Sequence, residues 1–494
     1  MKIKKNQIRI GLTFIIISLL LYSVSICFQN GGSESYETSQ LKANLENKLN
    51  WEWGTIEVVS TDSTSWSANP SLAVDELGNI HVVWDDATDY GSSGGDNDIF
   101  YKQWVTNTLS WTATEVVSTE GTGASSTPTI ATDVSGNAHV VWRDTADYDG
   151  AGIDYDIFYK TRLSSNSLWI TTEEISKFSS DDSESPTIAT TSTGDVHILW
   201  NDFDPWSGSG VDRDVYYKRW FASNTSWSLS SFISTESSSH SIYPSAAIDS
   251  DDNCHAFWSD STNYDGAEID YDIFYKYSAD TSSTWSLTEV VSTESTSAAF
   301  GASIAIDSSD NLHVVWDDST DYAGSGTDDD IFYKVWISSI SSWSSLQVLS
   351  TESTEDSRTP SVAVDSSNNV HVVWYDSTDY AGSGTDYDIF YKRWDSSTSS
   401  WTSVEVVSEG STSDSVVPSI DVDSSNNAHI VWMDYTDNFA GSGTDEDIFY
   451  RKLQEAPVVP ELQTNVFNNL RYLLISGIIA LPILVSIIRK RHFI

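Results

Sequence analysis

Aspartate residues recur at matching positions along the chain and could supply the oxygen ligands of a metal site. An Asp-x-Asp pair stands before an Ile-Phe-Tyr run or a close variant of it, and a further Asp stands upstream, two residues after a Trp. The candidate ligands are Asp86, Asp96 and Asp98; Asp144, Asp154 and Asp156; Asp318, Asp328 and Asp330; and Asp376, Asp386 and Asp388. Ca²⁺ binds carboxylate oxygens, so each loop is a candidate Ca²⁺ site. The alternative is that each Asp caps a turn by accepting hydrogen bonds from backbone N–H groups.

Histidines in the same segments reveal an internal repeat. The residues that share one position are His81, His139, His197, His255, His313, His371 and His429, each 58 residues after the last and three residues before a Trp. A zinc site would need several imidazoles at one point, whereas a repeat holds them apart. We therefore expect these histidines to form structural hydrogen bonds and not to bind metal or transfer protons.

Each 58-residue unit has the pattern of four β-strands. In the first unit, the predicted strands are Pro70–Asp75, Ile80–Asp85, Asp98–Trp104 and Trp111–Ser118, which are rich in β-branched and aromatic residues. The second strand is apolar on both alternating faces, so its sheet needs neighbours on both sides. Stacked blades of a β-propeller provide such neighbours.

The strand order at the two ends of the repeat region predicts a closed ring. The seventh unit ends after Asp447–Lys452 without a fourth strand, whereas Trp53–Ser60 has the sequence of a fourth strand and precedes the first unit. An open solenoid would instead need distinct capping repeats. The sequence therefore predicts an all-β, seven-bladed β-propeller with four-stranded blades, in which the N-terminal strand completes the last blade.

The charge balance and the cysteine count exclude several classes of protein. The chain has 72 acidic and 25 basic residues, a net charge of −47. Such a surface repels phosphate backbones, which excludes a nucleic-acid partner. The two cysteines cannot form a disulfide framework or a cysteine-rich zinc site.

Hydrophobic segments at both ends predict attachment to a membrane. Residues 1–28 have the pattern of a signal peptide or an uncleaved N-terminal anchor. Residues 29–50 are interpreted as a linker, 51–454 as the propeller and 455–469 as a stalk. The apolar segment 470–488 predicts a transmembrane helix, and the basic residues 489–494 predict a cytoplasmic tail. The bulk of the chain would then lie on the extracellular side of the cell membrane.

The repeat resembles the Asp-box repeats of sialidase-type propellers. The best match to an Asp box, which has the form Ser-x-Asp-x-Gly-x-Thr-Trp, is the segment 278–285, where Ser282 replaces the Gly. The other units keep little more than the Trp, so the Asp boxes are degenerate. The resemblance implies a substrate carboxylate held by three arginines, one of them in an Arg-x-Pro motif. Arg358-Thr359-Pro360 fits that motif, but the matching positions of the other units are not arginine, so no arginine triad is present.

Near-equivalence of the seven units favours a non-catalytic binding or adhesion protein over an enzyme, because an active site usually breaks repeat symmetry. The candidate ligand-binding residues are Arg358 and Trp206, which interrupts the loop pattern of the third unit. The expected partners are the membrane and a glycan or surface-protein ligand, and the expected cofactor is Ca²⁺ if the loops bind it. The alternatives are a sialidase-like exo-glycoside hydrolase and a structural component of a surface layer.

Overall fold

The computed structural model describes residues 51–455, except 92, 121–122, 149, 151, 178, 204–211, 266, 268–269 and 281–283. The signal or anchor segment, the linker, the stalk, the transmembrane helix and the tail predicted from the sequence lie outside the described residues, apart from Glu455. Among the described residues, one short 3₁₀ helix occurs, at Ser338–Ile340, and no helix is long and apolar enough to cross a membrane.

Seven antiparallel sheets form the blades of a closed propeller. The first strands are Ser67–Val74, Ser125–Thr132, Ser183–Thr190, Ser241–Ile248, Ala299–Ile306, Ser357–Val364 and Ser415–Val422. The second strands are Ile80–Asp86, Ala138–Asp144, Val196–Asp202, Cys254–Asp260, Leu312–Asp318, Val370–Asp376 and Ala428–Asp434. The third strands are Asp98–Val105, Asp156–Leu163, Asp214–Phe221, Asp272–Ser278, Asp330–Ile337, Asp388–Asp395 and Asp447–Glu455. We number the blades 1 to 7 in this order.

The fourth strand of each blade is broken, which corrects the continuous strand predicted from the sequence. Its short pieces are Ser110–Trp111 and Glu115–Val116; Leu168–Trp169 and Glu173–Glu174; Ser226–Trp227 and Ser231–Phe232; Glu289–Val290; Ser342–Trp343 and Gln347–Val348; Ser400–Trp401 and Glu405–Val406; and, for blade 7, Trp51–Trp53 and Glu57–Val58. In blade 1, the Thr112 hydroxyl accepts the Gln103 N–H at 3.0 Å. A side chain thereby takes the place of a backbone acceptor and interrupts the ladder.

Ring closure by the N-terminal strand is confirmed. Trp51, Glu52 and Trp53 pair with Glu455, Gln454 and Leu453 of the third strand of blade 7. On the inner side, the Leu72 N–H of blade 1 donates to Ser419 Oγ of blade 7 at 3.3 Å. The Val362 and Ile420 N–H groups donate in the same way to Ser303 and Ser361 of their neighbouring blades. Blade 7 therefore contacts blade 1 as the other blades contact their neighbours, and we call the strand pieces within 51–60 the clasp.

The hydrophobic core lies between the blades, as the two-faced second strands predict. Every residue of Ile80–Asp86 is buried. One side of blade 1, represented by Val83 and Tyr101, packs against Trp142 and Phe158 of blade 2, and a similar cluster forms at each of the other interfaces. The seven Trp residues that follow the histidines are at most 1% exposed. Burial of these indoles stabilises the ring through area removed from water.

A β-bulge opens each first strand, and these strands begin earlier than the sequence pattern predicts. In blade 1 the pairing register shifts between Ala68 and Ser71, and Asn69 has φ of 48°. Blade 5 has Gly301 at the matching position, with φ of 62°, a conformation that suits glycine. The bulges lie at the axial ends of the blades and turn backbone toward the central opening.

Candidate functional site

The long acidic loops emerge on one face of the ring, which we call the loop face. Each joins the second strand to the third, so it lies at the same end as the start of the first strand. The opposite face carries tight turns between the first and second strands. In one of them the Asp307 N–H donates to Asn311 O and the Asp310 N–H donates to Asp307 O, each at 3.0 Å.

The aspartates that follow each Trp cap turns, as the alternative interpretation predicts. Asp86 is fully buried, and its Oδ2 accepts from Ser67 Oγ at 2.8 Å and from Trp84 Nε1 at 3.0 Å. Its Oδ1 accepts the Thr88 N–H at 2.8 Å. Asp144 and Asp376 have equivalent donors, and Asp318 has the Trp and N–H donors. Both oxygens of these carboxylates are therefore occupied by protein donors.

The Asp-x-Asp pairs are less completely satisfied. Asp156 accepts from Ser176 Oγ at 2.6 Å through Oδ1, while its buried Oδ2 has no hydrogen-bond partner. The same pattern holds for Asp98, Asp330 and Asp388. Burial raises the pKa of Asp156 to about 7, against the effect of Ser176 and helped by Glu174 and Asp154. Burial also raises the pKa of Asp388 to about 6.

Neighbouring carboxylates come from the next blade instead of from the start of the same loop. The negative charge of Asp434 in blade 7 raises the pKa of Asp388 in blade 6, and Asp144 of blade 2 acts in the same direction on Asp98 of blade 1. Within the described ranges, no three His, Cys, Asp or Glu side chains form a group that could hold a metal ion. The three-carboxylate loop sites predicted from the sequence are therefore reduced to pairs, and metal binding stays a prediction.

The repeated histidines are structural, as predicted. His371 is fully buried, with Nδ1 2.8 Å from the Tyr391 hydroxyl and Nε2 3.3 Å from Asp365 Oδ2. Burial lowers the pKa of His371, so the neutral ring is favoured. His197 is the exception, since Thr191 stands where the other blades have the Asp, and burial lowers its pKa to about 3. The rings of the other six histidines thus tie the turn between the first and second strands to the third strand, whereas His197 keeps only the bond to the Tyr217 hydroxyl.

A cavity of about 790 Å³ lies at the centre of the ring and opens on the loop face, because the bulges of the first strands form its wall. We call it the bowl. Prolines and hydroxyl residues that follow the bulges supply much of its lining, including Pro70, Pro128 and Thr129. The blade 4 to blade 6 side differs, since Tyr243 and Phe300 add aromatic surface there. Tyr243 is 50% exposed, so its ring is accessible to a ligand.

Arg358 is the one cationic residue among the described residues that line the bowl. The carboxylates Asp317 and Asp329 line it as well. Its Nε lies 2.6 Å from Asp329 Oδ2, and a terminal nitrogen lies 2.8 Å from Asp356 Oδ2. Burial raises the pKa of Asp317 to about 7, although the Thr359 N–H donates to it and Arg358 favours its charged form. The guanidinium is thus neutralised by two carboxylates.

Two sets of residues near the loop-face ends of the first and second strands vary between blades that are otherwise near copies, and three of them, Phe300, Asp317 and Arg358, line the bowl. One set lies two residues before the first-strand Pro, or before Ala302 in blade 5, and consists of Ala68, Ser126, Glu184, Ile242, Phe300, Arg358 and Val416. Their cross-strand partners are Asp85, Arg143, Asn201, Ser259, Asp317, Tyr375 and Met433. We call these two sets the rim positions. A constant framework thus presents a different side-chain pair from each blade.

Some of the rim positions take part in contacts between neighbouring blades. Arg143 of blade 2 lies 3.0 Å from Glu184 of blade 3, and the rings of Tyr271 and Phe300 are 4.7 Å apart. Of the sequence-predicted ligand residues, Arg358 lies at the rim, and Trp206 lies outside the described residues. The other rim residues differ in type from blade to blade, so a pattern of constant residues does not reveal them. Comparison of the seven units for variable positions would have found them.

Comparison with known proteins supports the fold. No family profile matches the chain, and no curated protein matches it by sequence. An ulvan lyase of a polysaccharide lyase family, solved with a bound glucuronate–sulfated rhamnose unit, is similar with a TM-score of 0.52 and 12% identity over 78% of this chain and 94% of that one. A mutant of the NanB sialidase of Streptococcus pneumoniae matches with a TM-score of 0.42 and 10% identity, over 80% of this chain and 69% of that one.

A Dyadobacter fermentans protein of unknown function also matches, with a TM-score of 0.48 and 10% identity, over 82% of this chain and 100% of that one. Sialidase propellers are thus among the similar structures, as the repeat pattern predicts, and so are polysaccharide lyases. At these identities the likeness is one of fold. The chain is an all-β, seven-bladed propeller, similar in fold to the ulvan lyase.

Proposed function

We propose that this chain is a non-catalytic binding propeller of the cell surface that takes its ligand in the bowl. The observation that supports it best is the contrast between the constant framework and the rim positions. Buried Trp, His and Asp residues repeat in every blade, whereas the rim positions differ from blade to blade. Half of the rim positions are buried, among them Ala68, Asp85 and Met433. The variation that a ligand can meet is therefore that of the partly exposed ones, such as Phe300, Arg358 and Tyr375, and exposed variation on a rigid scaffold is where binding residues are placed most readily.

The chemistry of the bowl favours a neutral glycan as the ligand. Tyr243 and Phe300 offer aromatic faces, and Asp329 and Arg358 offer paired acceptors and donors of the kind that bind hydroxyl groups. The net charge of −47 disfavours an anionic ligand. A surface protein that presents a small loop to the bowl is the other expected partner.

A glycan array with the full-length chain tests this proposal. The Tyr243→Ala variant should lose most of its signal on any glycan that the wild type binds, because stacking on the exposed ring is lost. Tyr277→Ala is the matched control, since Tyr277 is 45% exposed in the same blade and ends the third strand, away from the loop face. Binding that is equally reduced in both variants, or in neither, would place the ligand elsewhere.

Attachment to the membrane is part of the same proposal and rests on the apolar segment 470–488 and the basic residues after it. The full-length chain should sediment with membranes and resist extraction by salt. Removal of 470–494 should release the propeller into the soluble fraction. If the shortened chain still sediments with membranes, the anchor lies elsewhere, with residues 1–28 as the first candidate.

A second candidate function is acid–base catalysis of the sialidase-like kind, and Asp317 is the observation that favours it. A carboxyl group with a pKa of about 7 in the wall of the bowl is able to donate or accept a proton at neutral pH. Turnover of a fluorogenic sialoside, abolished by Asp317→Asn and Arg358→Ala, would establish this activity. A protein with neither ligand nor activity would instead fit a structural surface-layer component.

A further inference from the structure

We propose that the Asp-x-Asp pairs of blades 2 and 6 each bind a divalent cation, with Ca²⁺ as the best fit. The ligands are Asp154 and Asp156 in blade 2, and Asp386 and Asp388 in blade 6. These sites lie at the loop face between adjacent blades and are separate from the bowl. The proposal does not depend on what the bowl binds.

Unpartnered carboxylate oxygens at buried positions support the two sites. Asp388 is 3% exposed, and its Oδ1 accepts from Ser408 Oγ at 2.6 Å. Its Oδ2 makes no hydrogen bond of normal geometry, although the nearby Ser383 hydroxyl favours its charged form, and the buried Oδ2 of Asp386 has no hydrogen-bond partner. Blade 2 repeats the arrangement at Asp154 and Asp156. A buried carboxylate without partners is costly, so two of them side by side need a proton or a cation.

Blade 7 shows where these oxygens point. There Asp447 Oδ2 accepts the Gly443 N–H at 3.1 Å, and it lies 4.0 Å from the position that a Cβ on Gly443 would take. The first carboxylate of the pair, Asp445, folds over the same glycine. Both carboxylates of a pair therefore face one glycine, and in blade 7 its N–H supplies the missing donor to Asp447.

Blade 6 has the same two carboxylates without that donor. Asp386 Oδ1 lies 2.5 Å from the Cβ position of Gly384, which has φ of 126°, and the unpartnered Asp388 Oδ2 shows that no N–H reaches it. In blade 2, Asp154 Oδ1 lies 2.6 Å from the Cβ position of Gly152. A side chain at either glycine would clash with the first carboxylate of its pair, so glycine keeps that carboxylate free of steric contact on this side.

The surrounding charges favour a cation in both places. Asp434 adds negative charge to the blade 6 pair, although its own oxygens accept from Ser415 and from the Thr436 N–H. In blade 2, Glu174 and Asp202 act in the same direction on Asp156. Two carboxylate ligands, completed by backbone carbonyls and water, form a coordination sphere that Ca²⁺ accepts.

Equilibrium dialysis of the full-length chain against Ca²⁺ tests the proposal. It is done in about 1 M KCl, where the Debye length of about 3 Å suppresses loose binding to the acidic surface. The D386N/D388N variant should bind one Ca²⁺ fewer per chain than the wild type, and adding D154N/D156N should remove one more. The matched control is D379N, since Asp379 is an exposed aspartate of the same blade 6 loop, and it should bind as the wild type does.

Melting temperatures of the Ca²⁺-free proteins show whether the variants are folded. Asn replaces Asp without change of size and removes buried charge, so the Ca²⁺-free variants should melt at or above the wild-type temperature. If a variant fails to fold, competition between Tb³⁺ and Ca²⁺ for the wild-type chain, followed by Tb³⁺ emission excited through tryptophan, replaces it. Absence of bound Ca²⁺ in the wild type, or equal loss in D379N, would overturn the proposal and leave protonated carboxyl groups as the explanation of the unpartnered oxygens.

Discussion

Replacement of Trp53 by Ala should release the clasp while the rest of the ring stays folded. Trp53 belongs to the strand that closes blade 7, and its Nε1 donates to Glu405 Oε2 of blade 6 at 2.8 Å. Its ring meets Tyr391 edge to face, with centroids 5.2 Å apart. The strand is held to blade 7 by non-covalent contacts, among them strand pairing and the bonds from Arg451 Nε to Gly54 O and from Ser60 Oγ to Asp447. It has no short loop to that blade, so its loss need not unfold the other six.

The magnitude follows from the contacts that disappear. A hydrogen bond to a carboxylate contributes about 1.5–3 kcal/mol, and an aromatic pair about 0.5–1.5 kcal/mol beyond the area it buries. Trp53 is only partly buried, so the loss falls below that of a fully buried Trp. We expect about 3 kcal/mol, which corresponds to opening of the clasp on the order of 100-fold more often.

Hydrogen exchange with mass spectrometry measures that opening directly. In the wild type, the Val59 and Gly54 N–H groups donate to Ile448 O and Lys452 O at 2.7 and 2.8 Å, so amides within 51–60 should be protected. Trp53→Ala should speed their exchange on the order of 100-fold. Peptides from blades 2 to 5 should exchange at the wild-type rate.

Trp401→Ala is the matched control, because Trp401 makes the equivalent contacts from blade 6. Its Nε1 donates to Gln347 of blade 5 at 3.1 Å, and its ring meets Tyr333 with centroids 5.1 Å apart. This variant should be destabilised by a similar amount but should keep protection within 51–60. Unchanged exchange of 51–60 in Trp53→Ala, or equal deprotection in both variants, would refute the assignment of the clasp as the independent closing element.

Two further changes test the packing between blades. Lys392→Met should lower the free energy of unfolding, measured in urea, by about 1–3 kcal/mol, because the buried Nζ donates to Leu349 O at 2.7 Å and to Glu352 at 3.1 Å. The control is Lys452→Met, which should change that free energy by less than about 1 kcal/mol. The Lys452 side chain is 31% exposed and its Nζ lies 3.9 Å from Asp423. Asp421→Asn should be tolerated better at pH 7 than at pH 4, although at both pH values the amide can accept only one of the two backbone N–H groups, of Val74 and Val422, that the carboxylate accepts. Burial raises the pKa of Asp421 to about 6, so its contribution is fully present below pH 3.8 and is lost as the pH rises through 6, by up to about 3 kcal/mol; urea titrations at the two pH values that give equal differences would contradict this sign.

The 58-residue repeat made most of the fold predictable from the sequence. A 58-residue period with a displaced fourth strand has few solutions other than a ring, because a strand that is missing at one end and present at the other has to be shared. The break in the fourth strand was not predictable by strand propensity. In blade 1 the Thr112 hydroxyl takes the place of a backbone acceptor, but blades 2 and 7 are broken at the same place with Ile170 and Gly54, so the break follows no single residue type and β-propensity does not describe it.

The candidate sites were only partly accessible to sequence reasoning. Spacing placed Asp376, Asp386 and Asp388 in one loop, but it did not show that Asp434 of the next blade is the charge that neighbours the pair. Distances between blades depend on how sheets pack, and a linear pattern does not contain them. The bowl was missed for a related reason, since its wall takes a few residues from each blade.

The pairing of Trp51 with Glu455 determines how the propeller responds to tension. The third strand of blade 7 runs away from the loop face, so the chain enters and leaves the ring at adjacent points on the side opposite the bowl. A pull on a ligand in the bowl, resisted through residues after 455, therefore enters the ring beside its clasp. Because the pull acts along the third strand of blade 7, the hydrogen bonds from Trp51 to Trp53 would be loaded in shear and would share the force with the pairing to the second strand. The same short strand that completes the circle thus also helps to carry the load.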